Sequence, residues 1–163
     1  MILSNFASLS TAKLAANTST PVARKPDGTN ATTGGSVSQN YSITRIWNNY
    51  GSYYDSTRIV LGDSDTPVDI DDYCLGNDIT NSLSLISGTV NPNRSVRKDF
   101  PTVIAVFKNN TANAITVKEV GLMTGWYENA SVNGQVLIAR KVITPLTIQP
   151  GESYSFAYSM SLG

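Results

Sequence analysis

Asp63, Asp65, Asp69, Asp71, Asp72 and Asp78 crowd one short part of a chain that is otherwise poor in charge; the last four lie in "PVDIDDYCLGNDIT", residues 67–80. Carboxylates at this density could do three kinds of work. They could ligate calcium, act as a paired acid and base, or bond to nearby backbone N–H groups and shape turns. An EF-hand loop needs Gly at its sixth position and Glu at its twelfth. Counted from Asp63, those places hold Val68 and Cys74, so the pattern fails and only a non-EF calcium site stays open. A glycosidase pair needs two carboxyl groups facing across a cleft, one of them shielded. Neighbouring acids on one polar loop are all solvated, so nothing separates their pKa values. The turn reading fits best. "DIDDYCLGN" reads as one capped helical turn, with Asp69 or Asp71 as the N-cap and Gly76 ending it. Tyr73 and Leu75 would pin that turn on the body of the protein. Asp71, Asp72, Tyr73 and Leu75 are therefore expected to act as a structural lock.

Elsewhere the chemistry is sparse. The chain has no histidine and one cysteine. That removes the commonest general base and the commonest transition-metal ligand. It also excludes an intrachain disulfide and a Cys-rich zinc site. Cys74 reads as a small core residue. No phosphate-binding Gly-rich loop and no Ser–His–Asp set occurs. No catalytic residue, cofactor or metal is expected. Glu119, in "ITVKEVGLM", falls on the same strand face as Ile115 and Val117 by simple alternation. A buried carboxylate must be paired or hydrogen-bonded, and Arg140 in "LIARKV" is the natural partner on a neighbouring strand. The alternative is an exposed Glu119 displaced by a bulge at Gly121.

The aromatics Tyr50, Tyr53, Tyr54 and Trp126, with Trp47 and Tyr127, could anchor a protein interface, pack in a core, or stack on sugar faces. Interface and core are the preferred readings. A glycan- or receptor-binding face is the alternative.

These side chains need elements to hold them. From about residue 41 the sequence reads as β: "YSITRIW", "TRIVLG", "SLSLISGTV", "RSVRKDFPTVIAVFK", "ITVKEVGLMTGWY" and "VLIARKVI" are rich in β-branched and aromatic residues. Pro101 implies a break or an edge within its run. "NNTANA", Asn133-Gly134 and Pro150-Gly151 read as turns. "SYSFAYSMSL" alternates most cleanly, with Tyr154, Phe156, Tyr158 and Met160 on one face. Seven or eight short strands with almost no helical period imply an all-β fold. The form expected is an antiparallel β-sandwich, jelly-roll or immunoglobulin-like, over residues 41–163. Residues 1–40 differ. They are rich in Ser, Thr, Asn, Gly and Pro and hold no apolar period. They are expected to form an extended N-terminal arm or linker, with Ile2, Leu3, Phe6, Leu9 and Leu14 as apolar tags that bind a neighbouring subunit.

Composition narrows the partners. Charged residues make up 15% of the 163-residue chain and balance to zero, against about 25% in a typical soluble domain. Such a surface suits packing against copies of itself or fixed neighbours. There is no cationic footprint for nucleic acid. No apolar run is long enough for a membrane span, and "MILSNFASLS" does not read as a signal peptide. Asn-x-Ser/Thr sequons, Asn109 among them, arise by chance in so Asn-rich a chain.

The stretches "VLGDSDTPVDIDDYCLGNDIT", "ITVKEVGLMTG" and "LIARKVITPLTIQPGESYSFAYSM" together resemble a group of tailed-bacteriophage virion proteins. The matching positions are Gly62, Thr66, Pro67, Asp71, Asp72, Tyr73, Leu75, Glu119, Gly121, Leu122, Leu137, Ala139, Arg140, Pro145, Gly151, Glu152 and Tyr158. They span roughly the last two-thirds of the chain. The resemblance implies a non-enzymatic structural protein of the virion, made in the host cytoplasm. It would assemble as a homo-oligomer and with capsid, collar, fibre or tail components. It also implies that the "D-D-Y-x-L" stretch and the Glu119–Arg140 pair are internal locks of the fold. A receptor- or glycan-binding module of a phage tail or fibre is the alternative, and a calcium-stabilised adhesin-like domain a third.

Overall fold

Residues 102–108, "TVIAVFK", bury every second side chain: Val103, Ala105 and Phe107 are inside, and the residues between them are half-buried. That period of two is what a strand with one face on a core produces. It recurs at residues 153–158, where Phe156 and Tyr158 are buried and the residues around them exposed. A computed structural model describes residues 1–2, 21–32, 57–91, 102–128 and 131–159. Among them are eight strands: β1 (Pro21–Arg24), β2 (Asn30–Thr32), β3 (Arg58–Gly62), β4 (Ser84–Asn91), β5 (Thr102–Lys108), β6 (Ile115–Glu128), β7 (Ser131–Ile148) and β8 (Ser153–Tyr158). The only helical turn among the described residues is a 3-10 turn at Thr80–Ser82.

The protein is all-β. One antiparallel sheet has the order β3-β6-β7, a second has β4-β5-β8, and β1-β2 is a separate hairpin. Both sheets feed one buried cluster. Ile59, Leu61, Val117, Val120, Leu122, Val136, Ile138 and Ile148 come from the first sheet, and Val90, Val103, Ala105, Phe107, Phe156 and Tyr158 from the second. Phe107 and Phe156 meet edge to face at 6.0 Å, a favoured ring geometry.

The first sheet is covered on its other face too. There Val60, Met123 and Leu137 pack with Leu75, which comes from the acidic segment. The switch between faces is made by an irregularity. Val117 pairs with Leu146 and Glu119 with Val142, so Lys118 stands opposite three residues of β7, Ile143 to Pro145. After this bulge the parity of β6 reverses. Val117, Val120 and Leu122 face the shared core, while Glu119 and Met123 face the acidic segment. The same-face expectation for Glu119, Ile115 and Val117 is thereby corrected, because alternation holds only along an unbroken ladder. The bulge is not at Gly121, which pairs regularly with Val60 and Arg140.

Two turn readings also change. Asn133-Gly134 is not the β6–β7 connection. Gly134 lies within β7 opposite Trp126, and Asn133 is the extra residue where the register shifts between Trp126 and Tyr127. Pro150-Gly151 does turn the chain, with Gly151 at φ 81°. In "SLSLISGTV" the register slips between Leu85 and Ser87. Leu83 is buried but Leu85 and Ile86 are 43% and 56% exposed.

Part of the first forty residues is folded as the β1-β2 hairpin. Asp27 accepts bonds from the Thr29 N–H at 2.8 Å and the Thr29 hydroxyl at 2.6 Å, and Gly28 takes φ 83°. Ala23 joins the shared core. Of the apolar tags only Ile2 is described. It bridges to Ala139 at the outer edge of β7 and packs against the core of its own chain. Leu3, Phe6, Leu9 and Leu14 lie outside the described residues.

Tyr158 supplies a pH test of the shared core. Burial pushes its phenol up to about 12. The unfolded chain loses this proton near pH 10, whereas the folded chain holds it. Stability from this group is thus complete below pH 10 and is lost as pH rises toward 12. The expected loss is about 2–3 kcal/mol. Denaturant unfolding at stepped pH should show it, and Tyr158→Phe should remove that part of the slope.

Candidate functional site

The acidic segment crosses the outer face of β3-β6-β7, and five of its six acids have separate work. Asp63 Oδ1 accepts from Asn77 Nδ2 at 2.6 Å. Asp65 meets Lys118 at 3.5 Å on the surface. Asp69 Oδ1 accepts from the Asp71 N–H at 2.9 Å, and Asp72 Oδ2 from the Asp69 N–H at 2.9 Å. Asp78 Oδ1 accepts from the Thr80 N–H and hydroxyl at 2.8 and 2.6 Å. Among the described residues, no three metal-ligating side chains converge. Residues 69–72 form a β-turn closed by Asp72 N–H to Asp69 O at 3.2 Å. The expected capped helical turn is therefore absent. Short Asp side chains satisfy the backbone locally here, and that competes with a helix.

Asp72 also reaches inward, and this builds the site. Arg140 lies on β7 directly opposite Gly121, with Glu119 one diagonal step away on β6. Arg140 Nε donates to Glu119 Oε2 at 2.7 Å, Nη1 to Asp72 Oδ2 at 2.6 Å, and Nη2 to Thr66 O at 3.2 Å. Glu119 accepts two further bonds, from the Gly76 N–H at 3.2 Å and the Asn77 N–H at 3.1 Å. Glu119 is fully buried and Arg140 is 2% exposed. One guanidinium on β7 thus joins a carbonyl and an acid of the acidic segment to an acid of β6, both far from it in sequence. Burial alone would lower the Arg140 pKa, but its hydrogen bonds to the Asp72 and Glu119 carboxylates outweigh it and hold it above its ordinary value.

Glycines make room for this lock. A Cβ at Gly62 would strike Glu119 Oε1 and come within 2.6 Å of Asn77 O. A Cβ at Gly76 would strike Ser64. A Cβ at Gly121 would stand 2.8 Å from Leu137 and 2.9 Å from both Leu75 and Val60. The two remaining residues singled out around Asp72 differ in their use. Tyr73 carries the Arg24 guanidinium 4.0 Å over its ring, tying the end of β1 to the acidic segment, which acts as a plug on the sheet. The Asp71 side chain is exposed, and this residue enters the turn through its N–H. Cys74 is half-buried, and burial followed by the charge of Asp72 pushes its thiol up. Such a thiol is a poor nucleophile at neutral pH.

Asn109 escaped the reading of the sequence. It is fully buried. Its Nδ2 donates to Asn113 O at 2.7 Å and Ile148 O at 2.9 Å, and its Oδ1 accepts from the Thr111 N–H and hydroxyl at 2.9 and 2.7 Å. Its backbone also bonds to Glu152 O and the Gly151 N–H. Asn109 thus joins the β5–β6 turn to the β7–β8 turn. Its sequon has a structural reason, since Asn-x-Thr also spells a hydroxyl-closed turn. The amide nitrogen has no capacity left for a glycan.

Trp126 belongs to β6 by its backbone. Tyr50, Tyr53 and Tyr54 lie outside the described residues. Among the described residues no helix is long and apolar enough to cross a membrane.

Fold and site together define an all-β protein whose two antiparallel sheets share a core and whose outer face is closed where the half-buried Asp72 meets the buried Arg140–Glu119 pair. Comparison with known proteins returns no matching family model, no matching curated protein and no matching solved structure.

Proposed function

We propose that this chain is a non-enzymatic structural protein of a tailed-phage particle. In this reading it is a β-sandwich of jelly-roll or immunoglobulin-like form with an N-terminal arm, and it assembles with other capsid or tail components. One observation carries the reading. The residues that bear the resemblance to phage virion proteins come from three separate stretches, yet Asp72, Leu75, Glu119, Gly121, Leu137 and Arg140 meet at one point. They meet to close the fold. Both oxygens of Glu119 and the inner oxygen of Asp72 are already bonded within the chain. Carboxylates occupied in this way supply rigidity to the fold. A rigid block with a weakly charged surface fits repeated packing in a shell or tail.

Mass spectrometry of gradient-purified particles tests this. The chain is expected in the particles at the copy number of a structural component. Finding it in the host lysate but not in particles would sink the reading. A truncation that begins at residue 21 keeps both sheets and the β1-β2 hairpin and removes Leu3, Phe6, Leu9 and Leu14. It is expected to fold, by its melting curve, and to fail to incorporate; normal incorporation would refute the arm.

A further inference from the structure

Every sheet has two outer strands, and a bare outer strand offers unpaired N–H and C=O groups to any extended chain. Proteins blunt such edges with charges, prolines, bulges or covering segments. Among the described residues, three of the four edges of the two three-stranded sheets carry such protection. Residues 77–80 cover β3: the Ile79 N–H donates to Leu61 O at 2.9 Å, the Asp63 N–H to Asn77 O at 3.2 Å, and the Leu61 N–H to the Thr80 hydroxyl at 2.9 Å. On β7, Met1 and Ile2 sit against Ala139 and Arg140, followed by Lys141, the bulge and Pro145. β4 is broken by its register slip and by Gly88.

Among the described residues, β8 has none of these devices. All six of its residues, "SYSFAY", pair with β5 in unbroken register. The strand has no charge, proline or glycine, and among the described residues nothing pairs with its outer side. Beside it runs an open groove of about 680 Å³, lined by Tyr154 to Tyr158 and by Lys141 to Leu146 of the other sheet. Tyr154 stands over this groove on the same face as Phe156 and Tyr158, yet 45% exposed, with its ring 5.1 Å from that of Phe156.

We propose that the outer edge of β8 is a self-pairing surface: a second copy of this chain lays its own β8 antiparallel along it, about a two-fold axis. In such an isologous contact residue i of one strand meets residue j of the other and j meets i, so an unbalanced charge near the axis would lie close to its own symmetry mate. With no charge on β8 this repulsion does not arise. A net charge of zero adds no long-range repulsion between copies. The two-fold places both copies' Tyr154 rings on the groove side, where each covers apolar surface that is open in the single chain. The result is one six-stranded sheet running through two molecules, from three strands of each. This inference deepens the assembly reading and names the face by which copies meet.

Analytical ultracentrifugation of the full chain tests it. The native protein is expected to show a monomer–dimer equilibrium. Ser155→Lys with Ala157→Lys, both at exposed positions of β8, should weaken the dimer at least tenfold, while the neutral Ala157→Val should retain it. A native chain that is monomeric at all concentrations, or a dimer indifferent to the lysines, overturns the proposal. If circular dichroism shows the lysine variant unfolded, hydrogen exchange on the native chain decides. Amides of residues 153–158 must gain protection with rising concentration, and unchanged protection overturns the proposal. A chain found in particles but monomeric, with β8 exchanging freely, would keep the structural-protein reading and refute only this pairing.

Discussion

Arg140→Met is expected to lower the stability of the folded chain by about 3–5 kcal/mol, the range for removing one partner of a buried ion pair. Glu119 is fully buried. Without the guanidinium it keeps only the N–H groups of Gly76 and Asn77, at 3.2 and 3.1 Å. Asp72 loses its inward partner at 2.6 Å, and the Thr66 carbonyl loses its donor. Methionine fills much of the volume of the arginine stem, so cavity formation contributes little and the loss reads mainly as uncompensated charge. The double variant Arg140→Met with Glu119→Gln removes both buried charges. It should cost less than Arg140→Met alone, which a purely steric account does not predict. Guanidinium unfolding with matched m-values measures both. A loss below about 1 kcal/mol for the single variant, the scale of an exposed pair, would show that the lock is not energetically buried.

Gly62→Ala is expected to be as damaging, although it adds only one methyl group at the buried end of a strand. Gly62 pairs with Glu119. Its added Cβ would strike Glu119 Oε1 and stand 2.5 Å from Glu119 Cγ and 2.6 Å from Asn77 O. The carboxylate cannot swing away cheaply, because Arg140, Gly76 and Asn77 hold it. Asn77 O is backbone, so the plug itself must lift. The expected loss is about 3 kcal/mol, at the upper end for overpacking because a charged network moves with it. Gly151→Ala is the control. It sits at φ 81° with nothing within 4 Å of an added Cβ, so its cost is only the left-handed backbone, about 1–2 kcal/mol. Equal losses at the two positions would mean that conformational freedom, not the close approach to Glu119, is why Gly62 is there. Combining Gly62→Ala with Arg140→Met should give less than the sum of the two, since both disable the same lock.

Local pattern made much of the architecture legible. β-branching placed strands at "TRIVLG" and "ITVKEVGLM", and alternation placed one at "SYSFAY", because a strand with one buried face must show a period of two. Pro150-Gly151 announced its turn because a positive φ suits glycine. The clustered Asp residues read as turn-formers for the same local reason: a short carboxylate reaches its own backbone. What failed were inferences that carried local rules across an interruption. Alternation put Glu119 on the face of Val117, and the three-for-one bulge at Ile143–Pro145 reversed it. Asn133-Gly134 has the residues of a hairpin turn and serves as a bulge within a longer ladder. Asn109 looked like any turn asparagine, and its burial depends on two turns that adjoin only in the folded chain.

The sequence by itself determined that this protein is built of antiparallel strands, that it lacks the histidine and thiol chemistry of common active sites, and that its acids favour turns. Those properties follow from side-chain types and short-range spacing. Only the tertiary structure decided that Asp72, Glu119 and Arg140 share one buried point, that glycines at 62, 76 and 121 clear its space, and that β8 is the edge left straight and uncharged. Register, bulges and edge exposure arise from pairing between distant segments, and no window along a single chain contains both partners of a pair.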